Sequence, residues 1–175
     1  EGLRRLEYRG YDSAGVALND HGQLKVTKSA GRLSVLEQML DFEADPTTGI
    51  GHTRWATHGA PNDVNAHPHM DNAGRIAVIH NGIIENDRAL RKYLQGKGAT
   101  FRSETDTEVL AELIGRLYEG DLEQAVRAAL REVSGTYGIA VICRDEPEVI
   151  VAARNGSPLI IGVGQGEHIV ASDAA

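Results

Sequence analysis

Residues 105–143 read TDTEVLAELIGRLYEGDLEQAVRAALREVSGTYGIAVIC, and this stretch decides the fold class. Thr105 and Glu108 stand three apart ahead of an apolar run, as the N-cap and third residue of a capping box do. Val109, Leu110, Leu113, Ile114 and Leu117 then share one face of a helix that Gly120 closes. Asp121 opens a second helix carrying Leu122, Val126, Ala129, Leu130 and Val133. Two helices joined by Gly120-Asp121 should pack antiparallel. From Gly135 the hydrophobic period switches to two, which marks a strand over 137–143. Two consecutive helices between strands do not make a simple parallel crossover. The expectation is therefore an α+β fold, antiparallel sheet with helices layered on it.

Downstream, further strands are expected at 149–153, 158–163 and 168–171, separated by Glu146-Pro147, Asn155-Gly156 and residues 164–166. Four short strands with tight turns predict an antiparallel meander. Upstream, residues 14–18 and 24–27 flank Asn19-Asp20-His21-Gly22, a hairpin signal. Leu33, Leu36, Met39 and Leu40 follow at helical spacing, and Pro46 breaks that helix. Leu3 and Leu6 before Gly10 read as the last turns of a helix. Residues 75–80 form a short strand ending at Asn81-Gly82, residues 87–94 a helix, and residues 100–102 a short strand. Residues 49–74 carry little periodicity, and a long irregular stretch inside a compact domain is often a functional loop.

Composition narrows the function. The chain has 175 residues, 41% hydrophobic and 25% charged, which fits one globular domain. Eighteen Lys and Arg against 25 Asp and Glu give a net charge of −7, the wrong sign for a nucleic-acid binder. One Cys rules out a disulfide framework. No apolar run reaches the ~18 residues of a membrane span. The first residues, EGLRR, lack the apolar core of a secretory leader, so a cytoplasmic domain is expected.

His52, His58, His67, His69 and His80 invite a metal reading, and residues 67–71, HPHMD, match the start of a zinc-hydrolase pattern. Position 72 is Asn, the rest of that pattern is absent, and no metal is expected. A zinc hydrolase stays as an alternative. Residues 52–59, HTRWATHG, form the densest chemical segment: Arg54 can fork onto a carboxylate, Trp55 can act as a lid, and Thr57 and His58 add polar contacts. Asn81-Gly82 can be either a tight turn or a pair of donors to one oxyanion. Asp106 at the first position of its helix can be a dipole partner or an acceptor for an ammonium group. Cys143 lies in an apolar strand with nothing near it to lower its pKa, and is not expected to be a nucleophile.

Five segments together are more specific than any one: YRGYDSAG at 8–15, HTRWATHG at 52–59, NAHPH at 65–69, HNGIIEN at 80–86 and SETDTE at 103–108, with SPL at 157–159 and ASD at 171–173 near the end. In this order they resemble the glutaminase domains of the glucosamine-6-phosphate synthase family, which are class II glutamine amidotransferases. The related amidophosphoribosyltransferases and asparagine synthetases share the chemistry but differ at 8–15 and 52–59. The resemblance implies a four-layer αββα sandwich of antiparallel sheets, the N-terminal-nucleophile hydrolase fold, as one domain over 1–175. It implies hydrolysis of L-glutamine through a cysteine thioester, no cofactor, and ammonia passed to a sugar isomerase half of the same parent chain. A homodimeric parent enzyme is also implied.

Carried over by position, Arg54 would clamp the glutamine α-carboxylate, and Trp55, Thr57 and His58 would wall it. Asn81 and Gly82 would form the oxyanion hole, and Asp106 would hold the α-ammonium. Arg9 and His67 would support the site. The family's N-terminal Cys is not in this sequence. The domain is therefore expected to be truncated at both ends, without the isomerase half, and inactive as it stands.

Overall fold

A computed structural model describes residues 2–40, 46–55 and 60–174. Its helices are α1 (Gly2–Leu6), α2 (Leu33–Met39), α3 (Asp87–Gly96), α4 (Asp106–Leu117) and α5 (Leu122–Arg131). Its strands are β1 (Ser13–Asp20), β2 (Gln23–Ala30), β3 (Thr48–Arg54), β4 (His69–Met70), β5 (Ile76–Ile84), β6 (Gly135–Cys143), β7 (Glu146–Asn155), β8 (Ile160–Val163) and β9 (His168–Ala171). One antiparallel sheet has the order β2-β1-β3, a second β4-β5-β6-β7, and β8 pairs with β9 alone.

Strand alternation sorts the side chains into layers. On β5 and β6, Ile76, Val78, Ile139, Val141 and Cys143 join Val109, Leu110, Leu113, Ile114, Leu122 and Val126 of α4 and α5 in the largest apolar cluster. The opposite face of the same strands carries Ala77, Ala140 and Ile142, which meet Ala17 and Ile50 of the first sheet. Beyond that sheet, Ala14 packs with Leu33 and Leu36 of α2, and Leu3 of α1 joins them. The order is helices, sheet, sheet, helices: the four-layer sandwich. Small residues at 17, 77 and 140 let the two inner faces approach.

Caps follow the sequence in part. The Thr105 side chain accepts from the Glu108 N–H at 3.4 Å, and Asp121 caps α5. The reciprocal half of the capping box is displaced. The buried Glu108 carboxylate accepts instead from the N–H groups of Arg102 and Ser103 and from the Ser103 hydroxyl, at 2.7 to 3.2 Å. Glu108 thus ties down the loop that leads into α4.

Four local expectations need correction. No strand forms at 100–102, because the Asn72 side-chain amide takes the place of a partner strand and bonds the N–H and C=O of Thr100, both at 2.8 Å. The four C-terminal strands are not one meander, since β7 and β8 lie in different sheets. Gly156 bridges Tyr137 in parallel instead of closing a hairpin, and Pro158 has no N–H to continue a ladder. Residues 48–54 form β3 within the stretch that showed little periodicity. Asn81-Gly82 is not a turn. Both lie inside β5, opposite Gly138 and Tyr137 of β6. Gly82 has φ +133°, and an added Cβ would collide with the Thr136 carbonyl oxygen, so only glycine passes here.

Towards one end the buried interior turns polar. His52, His67 and His69 are buried, with ring centroids 4.5 Å apart for His52–His67 and 4.9 Å for His67–His69. Burial drives all three imidazoles below the ordinary value of 6.5, His52 to about 4 and His69 to about 3, and neighbouring positive groups reinforce this. Folded and unfolded states carry the same neutral rings above pH 6.5. Below it the unfolded chain takes up protons that the folded chain refuses, so stability falls as pH falls. Each ring contributes up to about 1.4 kcal/mol per pH unit. Urea unfolding between pH 7 and 5.5 should therefore show a steep loss of stability. His69→Gln should reduce that slope by about one proton, and a flat profile would contradict neutral burial.

Candidate active site

The alternation that builds the inner core also aims the polar residues. On β3, Ile50 faces the second sheet, so His52 and Arg54 face it too. On β5, Ala77 and Ile79 face the first sheet, so Asn81 does as well. His80 points the other way, towards the start of α4. Where the apolar inner layer ends, these side chains open into a cleft of about 1590 Å³. Arg9, Arg54, Trp55, His67, Asn81, Gly82 and Asp106 all line it. Thr57 and His58 lie outside the described residues.

Arg54 ends β3, opposite Ser13 of β1. It is buried, and its Nη1 reaches the Ala60 carbonyl at 3.5 Å. Burial lowers its pKa, while Asp12 and Asp106 act in the opposite sense. A guanidinium nevertheless stays charged at neutral pH. Trp55, 57% exposed, meets Tyr11 edge-on with centroids 5.3 Å apart, an aromatic pair at the rim. Arg9 lies farther out. It bonds Ser172 at 3.2 Å and sits 3.5 Å from Asp173, so it joins the N-terminal turn to the C-terminal segment.

Asp106 begins α4, where the helix dipole favours its charge. Burial alone would push its pKa up. The His80 imidazole at 3.7 Å and the N–H groups of Ile84 and Thr107 outweigh this and hold it below the ordinary carboxylate value. The Ile84 N–H donates to Oδ2 at 2.8 Å. The buried Thr107 hydroxyl is a junction: His67 Nε2 lies 2.7 Å away, His80 Nδ1 3.2 Å and Asp106 Oδ1 3.4 Å. His67 is thus linked through Thr107 to the Asp106 side of the cleft.

Asn81 is held from two directions. Its carbonyl accepts from Ser157 Oγ at 3.1 Å, and its side-chain Oδ1 meets His52 Nε2 at 2.9 Å. His52, Thr107, His80 and Ser157 had no assigned role in the sequence reading. For His52 a signal existed: it stands two residues before Arg54 on a strand and must share its face. Among the described residues no three His, Cys, Asp or Glu side chains are arranged to hold a metal ion. The imidazoles bond Asn81, Thr107 and Thr105 instead. Cys143, the sole cysteine, is fully buried on the α4–α5 side of β6, away from the cleft.

The result is a cleft with a cation from one sheet and an anion from a helix N-terminus, with Asn81 and Gly82 on the strand that both approach. A zwitterionic amino acid has the complementary pair of charges.

Comparison with known proteins agrees with that chemistry. The family model of the glutamine amidotransferase domain matches residues 52–175. Glutamine–fructose-6-phosphate aminotransferases (isomerizing) are similar over 99% of this chain: 53% identical in Caldanaerobacter subterraneus subsp. tengcongensis, 58% in Symbiobacterium thermophilum and 56% in Thermus thermophilus. The chain spans 29% of the length of each. The solved glutamine phosphoribosylpyrophosphate amidotransferase from B. subtilis, complexed with ADP and GMP, superposes with a TM-score of 0.82 at 30% identity. That match covers 98% of this chain and 38% of the other. Fold, cleft and sequence agree, and the chain belongs to the glutamine amidotransferase domain family.

Proposed function

We propose that this chain is the glutaminase part of a glutamine–fructose-6-phosphate aminotransferase. It would take L-glutamine to glutamate and supply ammonia to a sugar isomerase part of the same protein. The observation that carries the reading is the Arg54–Asp106 charge pair in one cleft with Asn81 and Gly82. Identity of 53 to 58% with aminotransferases, against 30% with the phosphoribosyl enzyme, favours this branch over the alternative amidotransferase.

In this reading the α-carboxylate forks onto Arg54, with Trp55, Thr57 and His58 closing over it. The α-ammonium pairs with Asp106. Those two contacts leave the side-chain amide beside Asn81 and Gly82. A cysteine thiolate attacks the amide carbon, and the developing oxyanion takes donors from Asn81 Nδ2 and the Gly82 N–H. Ammonia leaves with the proton that the cysteine's own α-amine took from the thiol, a glutamyl thioester remains, and water releases glutamate. The thiolate is the family's N-terminal Cys, since Cys143 is buried elsewhere. Arg9 closes the outer rim, and His67 steadies Asp106 through Thr107. No cofactor or metal has a part in these steps. The setting is taken to be cytoplasmic. Among the described residues no helix is long and apolar enough to cross a membrane. A homodimeric full enzyme is inferred from the family alone.

The full-length aminotransferase carrying this domain should release glutamate from glutamine, and no release would overturn the assignment. In that enzyme Asp106→Asn keeps the shape of the side chain but removes its charge, and leaves the Thr105 cap in place. It should cut kcat/KM on glutamine by roughly 10–100-fold, the scale of one charge-assisted hydrogen bond. On a glutamine analogue with an acylated α-amine the loss should be much smaller. An equal loss on both substrates would leave Asp106 as a helix residue only.

Arg54→Lys tests the other pole. The contact is to a part of the substrate that does not react, so KM should rise while kcat changes little. An unchanged KM would remove Arg54 from the binding site.

A further inference from the structure

We propose that His52 is a positioning residue for the oxyanion hole: it donates from Nε2 to Asn81 Oδ1 across the two sheets and so turns the Asn81 NH2 towards the reacting amide. The inference rests on the glutaminase reading and assigns a role to a residue outside the expected substrate contacts.

A carboxamide has nearly the same shape when it is turned over, but the two orientations differ chemically. One presents NH2 to a developing negative charge, and the other presents a carbonyl oxygen and repels it. The backbone of Asn81 does not decide between them. It sits in the β5–β6 ladder opposite Gly138, and its carbonyl is taken by Ser157. Among the described residues Asn81 Nδ2 has no protein partner, so within the protein the choice falls to the group on Oδ1. That group is His52 Nε2, at 2.9 Å.

The ring can choose because it is itself fixed. It is buried and lies 4.5 Å from the His67 ring at a 31° tilt. Its Nδ1 is also buried and has no hydrogen-bond partner. With the single ring proton on Nε2, Nδ1 is an unpaired acceptor. With the proton on Nδ1, a buried N–H would be stranded and the Asn81 amide would have to turn over to donate to Nε2. An orphaned buried N–H is the rarer arrangement in folded proteins. Both considerations favour the Nε2–H form, which leaves the Asn81 NH2 directed away from His52. The arrangement spans sheets: His52 is on β3 of the first and Asn81 on β5 of the second. Correct stacking of the sandwich therefore sets the direction of a catalytic dipole.

The test is a double-mutant cycle in the full-length aminotransferase, read as glutamate release. In the otherwise native enzyme His52→Ala should lower kcat by roughly 10–100-fold with KM for glutamine changed less than about two-fold, part of the 10²–10³-fold cost of losing an oxyanion donor outright. His52→Gln, whose amide can still donate, should recover part of that loss. With Asn81→Ala already present, adding His52→Ala should cost less than about three-fold, because no amide remains to be oriented. Equal losses in both backgrounds, or a rise in KM alone, would overturn the proposal. An inactive native enzyme would instead overturn the glutaminase reading. If the His52 variants do not fold, ¹⁵N spectra of the native protein's imidazoles still decide the matter: Nε2–H at His52 supports the proposal and Nδ1–H refutes it.

Discussion

Two sheets stacked face to face must bury whatever their inner faces carry, and here part of that inner layer is polar. Ala17, Ala77 and Ala140 let the sheets close at the apolar end. Farther along, the same alternation delivers His52 and Arg54 from one sheet and Asn81 from the other. Such a layer is stable only if its polar groups find partners. Each imidazole finds one across elements, His52 with Asn81, His67 with Thr107 and His69 with Thr105, while His52 Nδ1 and His67 Nδ1 stay without a partner. The cleft is what remains where this network stops being filled.

That origin explains the electrostatics. Burial keeps His52, His67 and His69 neutral, and Arg54 and Asp106 are two of the charged groups that line the cleft, with Arg9 and Asp173 among the others. Arg54 and Asp106 each have a local reason to stay ionised. A guanidinium hardly deprotonates. Asp106 has a helix N-terminus, the Ile84 N–H and the His80 ring. Two opposite charges held apart by rigid elements suit a zwitterion better than a single anion or cation.

The errors of the sequence reading have one cause. Asn-Gly is the commonest signal for a tight turn, yet Asn81-Gly82 runs through the middle of a strand pair. Thr100 reads as strand, yet its backbone bonds to one side chain, Asn72. In both places the deciding partner is distant in sequence: Thr136 and Tyr137 for Gly82, Asn72 for Thr100. Local propensity cannot see such partners. Glu108 is a related case, a residue with capping-box spacing whose carboxylate is drawn to Arg102 and Ser103.

The fold class is legible in the residues alone, because hydrophobic period is local: two adjacent helices and then period-two runs leave an antiparallel layered sheet. Single residues left Asn81-Gly82 and Asp106 open between local structure and chemistry, and it was the resemblance carried by five segments together that pointed to Arg54, Trp55, Asn81, Gly82 and Asp106. What those residues face is set by how distant elements pack. Whether Asn81 lies in a turn or inside a strand that borders the cleft depends on its pairing with β6. Whether Asp106 only offsets the helix dipole or is also one pole of a cleft depends on where α4 begins relative to β5. His52 illustrates the division. Its side of the strand follows from its place two residues before Arg54, but its partner 29 residues away is set by how two sheets stack.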